Sequence, residues 1–224
     1  MAVAKGTICA FGVQFEKVGG VQEIPVNEIF TIDVPKPGSG YNGLTDCMQI
    51  WSMADKKFYN YFLKTNVGWV KVGQADMTKP TADTVKAGDG VYFKRPSSAN
   101  ANLTISGQIN TVDEYVQIDV TKGTIKCMTY PYPIDLPIDD LRKYIDVRKS
   151  GSGYNGLTDT LQMWDSANKK YVNYYDKTNV GWVKVGQTDM TKPTEDKILA
   201  GHSIMFKRPS SANATFKFTK PEGL

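Results

Sequence analysis

The sequence predicts an all-β protein: two tandem, homologous β-sandwich or small-barrel domains produced by an internal duplication. Three observations predict it. Residues 38–107 align without a gap on residues 151–220 at a constant offset of 113, and 45 of those 70 positions are identical. A repeat of that kind makes each copy one structural package, with the seam between the copies. Short runs rich in Val, Ile, Thr, Tyr, Phe and Trp lie between turn clusters along the whole chain, and no long amphipathic helical period interrupts them. A chain of 224 residues has room for two domains of ordinary size, and we place them at residues 1–118 and 119–224.

The repeat also reaches upstream of the near-identical block. Lys5-Gly6-Thr7-Ile8 matches Lys122-Gly123-Thr124-Ile125, and Ile24-Pro25-Val26-Asn27-Glu28-Ile29 matches Leu136-Pro137-Ile138-Asp139-Asp140-Leu141. Each unit therefore starts at a Lys-Gly-Thr-Ile element, and the stretch from Val112 to Val120 reads as a strand leading into the second unit. No Pro/Gly/Ser linker separates the two, which predicts a fixed angle between them. A short helical turn is expected from Ile138 to Tyr144. Then come the strand at Leu44–Trp51, a hairpin tip at Asp55-Lys56-Lys57 (Asn168-Lys169-Lys170 in the second copy), and the tyrosine-rich strands Phe58–Phe62 and Tyr171–Tyr175. Gly68-Trp69-Val70 and Gly181-Trp182-Val183 open the next strand. Val91 and Phe93 alternate with Tyr92 and Lys94, as on a half-buried strand. Lys94-Arg95-Pro96-Ser97-Ser98 supplies the turn before the closing strand at Leu103-Thr104-Ile105.

Composition sets bounds on function. Hydrophobic residues make up 41% of the chain and charged residues 22%, so a packed core is expected. The net charge of +4 is spread along the chain, not gathered on one face as nucleic-acid binding would need. No apolar run is long enough to cross a bilayer. The opening Met1-Ala2-Val3-Ala4-Lys5-Gly6 lacks the features of a signal peptide. That points either to a chain that stays inside or to a mature form with an added methionine. Cys9, Cys47 and Cys127 face Lys126, Thr160 and Ala10 at the repeat positions, so no disulfide framework is shared by the copies. Buried apolar thiols are the plain expectation, and an unpaired thiol open to an intermolecular bridge is the alternative.

Catalytic signatures are thin, and no enzyme, cofactor or metal is expected. Gly38-Ser39-Gly40-Tyr41-Asn42-Gly43 and its second copy match a dinucleotide fingerprint, but a strand follows and not a helix, so a tight turn is the better reading. The single histidine, His202, has Asp89 at its repeat position, which leaves a Ser-His-Asp arrangement without a repeated base. Asp46 and Asp159 recur beside Asn42 and Asn155, an oxygen-rich loop that would suit calcium or, more simply, its own backbone. The basic doublets, among them Lys94-Arg95 and Lys207-Arg208, read as solvated turn tips. Trp51, Trp69, Trp164 and Trp182 fall inside strands and read as core. Tyr41 and Tyr154 lie in loops where an aromatic face can stack on a sugar.

Three stretches carry a resemblance: Tyr130-Pro131-Tyr132-Pro133-Ile134-Asp135; Gln162-Met163-Trp164-Asp165 before the tyrosine strand and Gly181-Trp182; and Ala200-Gly201 leading to Phe206-Lys207-Arg208. Together they resemble the repeated β-domains of poorly characterised bacterial surface and secreted proteins. The resemblance implies a β-sandwich fold and an extracellular or cell-surface setting, and brings no catalytic residue. The first copy departs from the pattern, since Ser52 follows Trp51 and Tyr-Pro-Tyr-Pro is missing.

The expectation is a non-enzymatic structural protein that assembles with itself into a surface layer, extracellular filament or shell. The alternative is a carbohydrate-binding or adhesive module that uses loop aromatics. The expected partners are copies of itself and glycans, without nucleic acid or membrane insertion. Candidate ligand or interface contacts are Tyr41, Asn42, Tyr154 and Asn155. The candidate assembly strand carries Ile8, Ala10, Phe11 and Val13, an apolar segment suited to pairing with a neighbour's sheet edge.

Overall fold

A computed structural model describes residues 1–13, 23–52, 54–106, 115–165 and 167–224. The fold is all-β and sandwich-like, and among the described residues no sheet closes into a barrel. In the first half, five antiparallel strands run in the order Ile8–Gly12, Gly90–Lys94, Cys47–Ser52, Lys57–Lys64, Gly68–Lys71. In the second half the order is Ile125–Thr129, Ser203–Lys207, Thr160–Asp165, Lys170–Lys177, Gly181–Lys184. The two orders correspond strand for strand. Smaller sheets cover one face of each: Ala2–Val3 with Ala101–Thr104 and Thr31–Ile32, and Glu23–Pro25 with Thr84–Lys86, in the first half. Tyr115–Val120 pairs with Ala214–Thr219 and Leu136–Pro137 with Lys197–Ile198 in the second. The strand expected over 112–120 is thus seen from Tyr115 and pairs wholly within the second half. Residues 112–114 lie outside the described residues.

Local chemistry explains the turns. Lys56 and Lys169, at the predicted hairpin tips, have φ of 53° and 52°, and Asn66 and Asn179 both have φ of 59°. Asparagine enters this left-handed region at low cost. The predicted helical turn is a 3-10 helix over Ile138–Lys143, and the first half has a shorter one at Val26–Glu28. Each supplies a side chain that satisfies the edge strand: Asn27 Oδ1 accepts from the Trp69 amide at 2.7 Å, and Asp139 Oδ1 from the Trp182 amide at 2.9 Å.

Between the sheets sits an aromatic core. Phe11, Phe30, Trp69 and Phe93 meet edge to face in the first half, and Trp182, Phe206 and Phe216 do so in the second. Trp69 and Trp182 fill the core as expected. Trp51 and Trp164 are half-buried and belong to a different cluster, formed by the outer faces of the two five-stranded sheets. This cluster joins Ala10 and Tyr92 of one half to Cys127 and Met205 of the other. It buries Tyr92 as well as Val91 and Phe93, so the expected in-out alternation of that strand fails. A sheet covered on both faces has no solvent side.

The seam has a local two-fold pattern. The Gly12 amide donates to Gly201 O at 2.9 Å, and the Thr129 amide donates to Gly88 O at 2.9 Å. Gly12 and Thr129 are repeat partners, as are Gly201 and Gly88. Bridges link Phe11 to His202 and, equivalently, Met128 to Asp89. An ion pair crosses the same boundary, Lys126 Nζ to Asp89 Oδ1 at 2.8 Å.

Candidate functional site

The surface that recurs most faithfully is the loop between the 3-10 turn region and the Cys47–Ser52 strand, together with its copy before Thr160–Asp165. Its base is locked first. The Lys36 amide donates to Asp46 Oδ2 at 2.7 Å and the Asp46 amide to Lys36 O at 2.9 Å, which closes the loop into a ring. Arg95 then holds the carboxylate from inside, with Nη1 2.8 and 2.7 Å from the two oxygens. The remaining Arg95 donors reach the Ala99, Asn100 and Val34 carbonyls. The second copy repeats this with Lys149, Asp159 and Arg208, whose Nη1 lies 2.8 Å from each oxygen. Arg95 and Arg208 are both 0% exposed. They are therefore not solvated turn tips. Nor are Asp46 and Asp159 free to serve calcium, because each already holds an arginine and a backbone amide. Burial pushes the Asp159 carboxyl up to about 6, with the Lys149 amide and Arg208 pulling it back, and Asp46 shifts in the same direction.

The interior of the loop is organised by Asn42 and Thr45. Asn42 Oδ1 accepts from the Leu44 amide and from the Thr45 hydroxyl, both at 2.9 Å, and Thr45 Oγ1 also lies 2.9 Å from Gly40 O. Asn155 takes the Leu157 amide at 2.9 Å in the second copy, where the Thr158 hydroxyl reaches Gly153 O at the same distance. Asn42 and Asn155 thus shape the loop from within, although both remain exposed. Gly38 and Gly151 are required, because a Cβ there would strike Thr45 or Thr158. Gly40, Gly43, Gly153 and Gly156 are different: a Cβ on any of them would meet nothing, and none lies in the left-handed region.

What the fold does not use points outward. Leu44 is 80% exposed and Leu157 79%, while Tyr41 and Tyr154 are 38% and 41% exposed. Val72 and Val185 are exposed on the neighbouring edge in both halves. Beneath Tyr154 lies a neutral polar pair: Gln162 Nε2 donates to Asn173 Oδ1 at 2.7 Å and to the Tyr154 hydroxyl at 3.3 Å. Gln49 and Asn60 form the same pair at 2.8 Å, and the Tyr41 hydroxyl bonds to Gln49.

The candidate assembly strand has a different fate. Ile8, Ala10 and Phe11 pair with Lys94, Tyr92 and Val91 of their own sheet. Ala10, Phe11 and Val13 are buried, and the outer edge at Phe11 and Gly12 is taken by His202 and Gly201. This segment is used inside the chain, so lending it to a neighbour would dismantle both the first sheet and the seam. The thiols are equally withdrawn. Cys9, Cys47 and Cys127 are buried and unbridged, and burial pushes them up to about 11, 11 and 12, far from the thiolate that disulfide exchange requires.

Sequence reading passed over one further group. Asp176 is 1% exposed and neither carboxylate oxygen makes a hydrogen bond within the chain, although Arg148 Nη1 and Arg142 Nε stand 3.6 and 3.9 Å away. The repeat partner of Asp176 is Leu63, and that of Arg148 is Pro35. Burial raises the Asp176 carboxyl above its usual value of 3.8, against the pull of the two arginines. A raised value in the fold favours folding fully only below the unfolded value, and this contribution is lost as pH rises through the folded one. Asp176→Leu should therefore stabilise the protein by about 1 kcal/mol at neutral pH, because Arg142 keeps its ion pair with Asp139 and Arg148 already reaches solvent. The gain should shrink as pH falls through the raised folded value and be lost by about pH 4. Urea midpoints at the two pH values check this, and a loss of stability at neutral pH would show that the ion pairs outweigh the burial.

Comparison with protein-family models, curated proteins and solved structures returned no match. The functional reading therefore rests on the residues themselves. Among the described residues no group of three or more His, Cys, Asp and Glu could hold a metal, and no helix is long and apolar enough to cross a membrane.

Proposed function

We propose that the chain is two duplicated sandwich-like domains acting as a non-enzymatic structural protein, which joins to its own copies through the repeated loop into an extracellular filament or surface layer. One observation carries this reading: the loop Gly-Ser-Gly-Tyr-Asn-Gly-Leu-Thr-Asp is identical in both halves, yet its leucine is 80% exposed in one and 79% in the other. Packing and hydrogen bonding explain Gly38, Tyr41, Asn42, Thr45 and Asp46, but give no reason to keep Leu44, Gly40 or Gly43. Small residues with open space above them let a partner backbone approach closely, and an exposed leucine beside them gives that contact an apolar centre. A chain bearing two like patches, each able to meet its own kind, has no closed end point and forms a polymer.

Light scattering and negative-stain electron microscopy test the proposal. The intact protein should form fibres or sheets as its concentration rises. Leu44→Ser or Leu157→Ser alone should stop at dimers, since one patch remains, and the double variant should stay monomeric. An intact chain that remains monomeric at high concentration would refute it. A second reading is favoured by the Tyr154–Gln162–Asn173 cluster and its counterpart, where neutral amides beside an aromatic ring match the chemistry of a sugar. Glycan-array binding that is lost on Tyr41→Ala and Tyr154→Ala substitution would support that reading instead.

A further inference from the structure

The second half carries a cleft of about 340 Å³ whose lining includes Met163, Asp165, Val172, Tyr174, Lys184 and Leu199. We propose that this cleft binds a planar phenolic group. In the first half the chain supplies such a group itself. There the Tyr59 ring lies under Lys71 Nζ, 3.6 Å from its centroid, and its hydroxyl donates to Asp55 Oδ2 at 2.7 Å. Lys71 is anchored by Asp83 Oδ2 at 2.9 Å, which also accepts from the Tyr61 hydroxyl at 2.6 Å.

The second half keeps this frame and removes the ring. Lys184 sits 3.0 Å from Asp196 Oδ2, and the Tyr174 hydroxyl donates to that same oxygen at 2.7 Å. The repeat partner of Tyr59 is Val172, which is too short to reach beneath the ammonium group. An acid is retained near the mouth by an exchange. Ser52 and Asp55 are replaced by Asp165 and Asn168, and Asn168 Nδ2 donates to Asp165 Oδ2 at 2.7 Å. This bond holds the Asp165 carboxyl below its ordinary range, so it is ionised and can accept a phenolic hydroxyl. Leu199, 49% exposed, replaces Lys86 and makes the outer wall apolar. Apolar walls, a cation placed for a ring face and a carboxylate acceptor together select an aromatic ring that carries a hydroxyl.

Nitrogen-edited NMR of the whole chain tests this with two probes, p-cresol and N-acetyl-tyrosinamide. Saturable shifts at Val172, Lys184 and Leu199 are expected with p-cresol. Matching shifts with the amide would extend the ligands to tyrosyl chains, whereas their absence would confine them to free phenols. Toluene should bind more weakly than p-cresol, for want of the hydroxyl. Val172→Tyr should refill the cleft as the first half does, keep the fold and weaken p-cresol by roughly tenfold or more, the loss of a ring face and a cation–π contact. No saturable shift with either probe, or equal binding by a folded Val172→Tyr protein, would overturn the assignment. Neither outcome bears on the loop contacts proposed above, because the cleft lies outside that loop.

Discussion

Arg208→Met should destabilise the protein by about 3–5 kcal/mol, the largest effect expected of any single substitution in the repeated loops. The guanidinium is 0% exposed and Asp159 1%. Removing the arginine strands a carboxylate that keeps only the Lys149 amide, and it also takes a donor from the Ala212 and Asn213 carbonyls. The deficit is mainly the cost of the orphaned charge and not the net worth of the pair. Adding Asp159→Leu should therefore return part of the stability, although it also removes the acceptor that closes the loop. The pH dependence has a definite sign. Without Arg208 the Asp159 carboxyl, already pushed up to about 6 by burial, rises further and becomes neutral in the fold. The penalty relative to the intact protein should thus be largest near neutral pH and narrow below about pH 5. Guanidinium unfolding at both pH values measures it. A loss under about 1 kcal/mol at neutral pH would mean that the arginine is not what holds the loop.

That ion pair was only half legible in the sequence. Lys94-Arg95 and Lys207-Arg208 look like basic turn tips, and the lysines are exposed as such residues usually are. The arginine next to each turns inward because it follows directly on a strand, where successive side chains point to opposite faces. The available signal was the joint repetition of Asp46 with Arg95 and of Asp159 with Arg208, each pair separated by the same 49 residues. The β character, the hairpin tips, the helical turn at Ile138–Lys143 and the core placement of Trp69 and Trp182 were legible, because each follows from local periodicity or turn chemistry. The exposure of Leu44 was not. An apolar residue ahead of a strand reads as its first buried position, whereas here the strand begins at Cys47. The cleft by Lys184 was also hidden, since Tyr59 and Val172 are both good strand residues and only the position of Lys71 over the ring shows what the valine leaves open.

Least legible of all was the seam, although the differences that build it are in plain view. A two-fold contact between identical copies would set like residues against each other near the axis. Here the axis passes between repeat partners that are unlike, since Gly12 meets Thr129 and Tyr92 and Met205 share a cluster; beside them Gly90, the counterpart of Ser203, accommodates Cys127, the counterpart of Ala10. At Gly12 and at Gly90 a larger side chain faces a glycine, so these differences between the halves serve packing across the boundary. Gly12→Ala should consequently cost about 1–3 kcal/mol, since a Cβ there would overlap the Thr129 side chain and neither backbone can withdraw without breaking the Gly12–Gly201 and Thr129–Gly88 hydrogen bonds. Thr129→Gly alone should also destabilise, through the lost volume and the hydroxyl's 2.7 Å bond to His202 O. Combined, Gly12→Ala and Thr129→Gly should lose much less than the sum of the two, because the added methyl enters the space that the threonine leaves. Thermal unfolding of the three variants supplies the cycle. Strict additivity would mean that the two residues do not share that space. Strong coupling would mean that the duplicated copies have become complementary to each other, and that neither keeps a surface suited to its own twin at this boundary. The loops that carry Leu44 and Leu157 lie outside this boundary and remain alike in both halves.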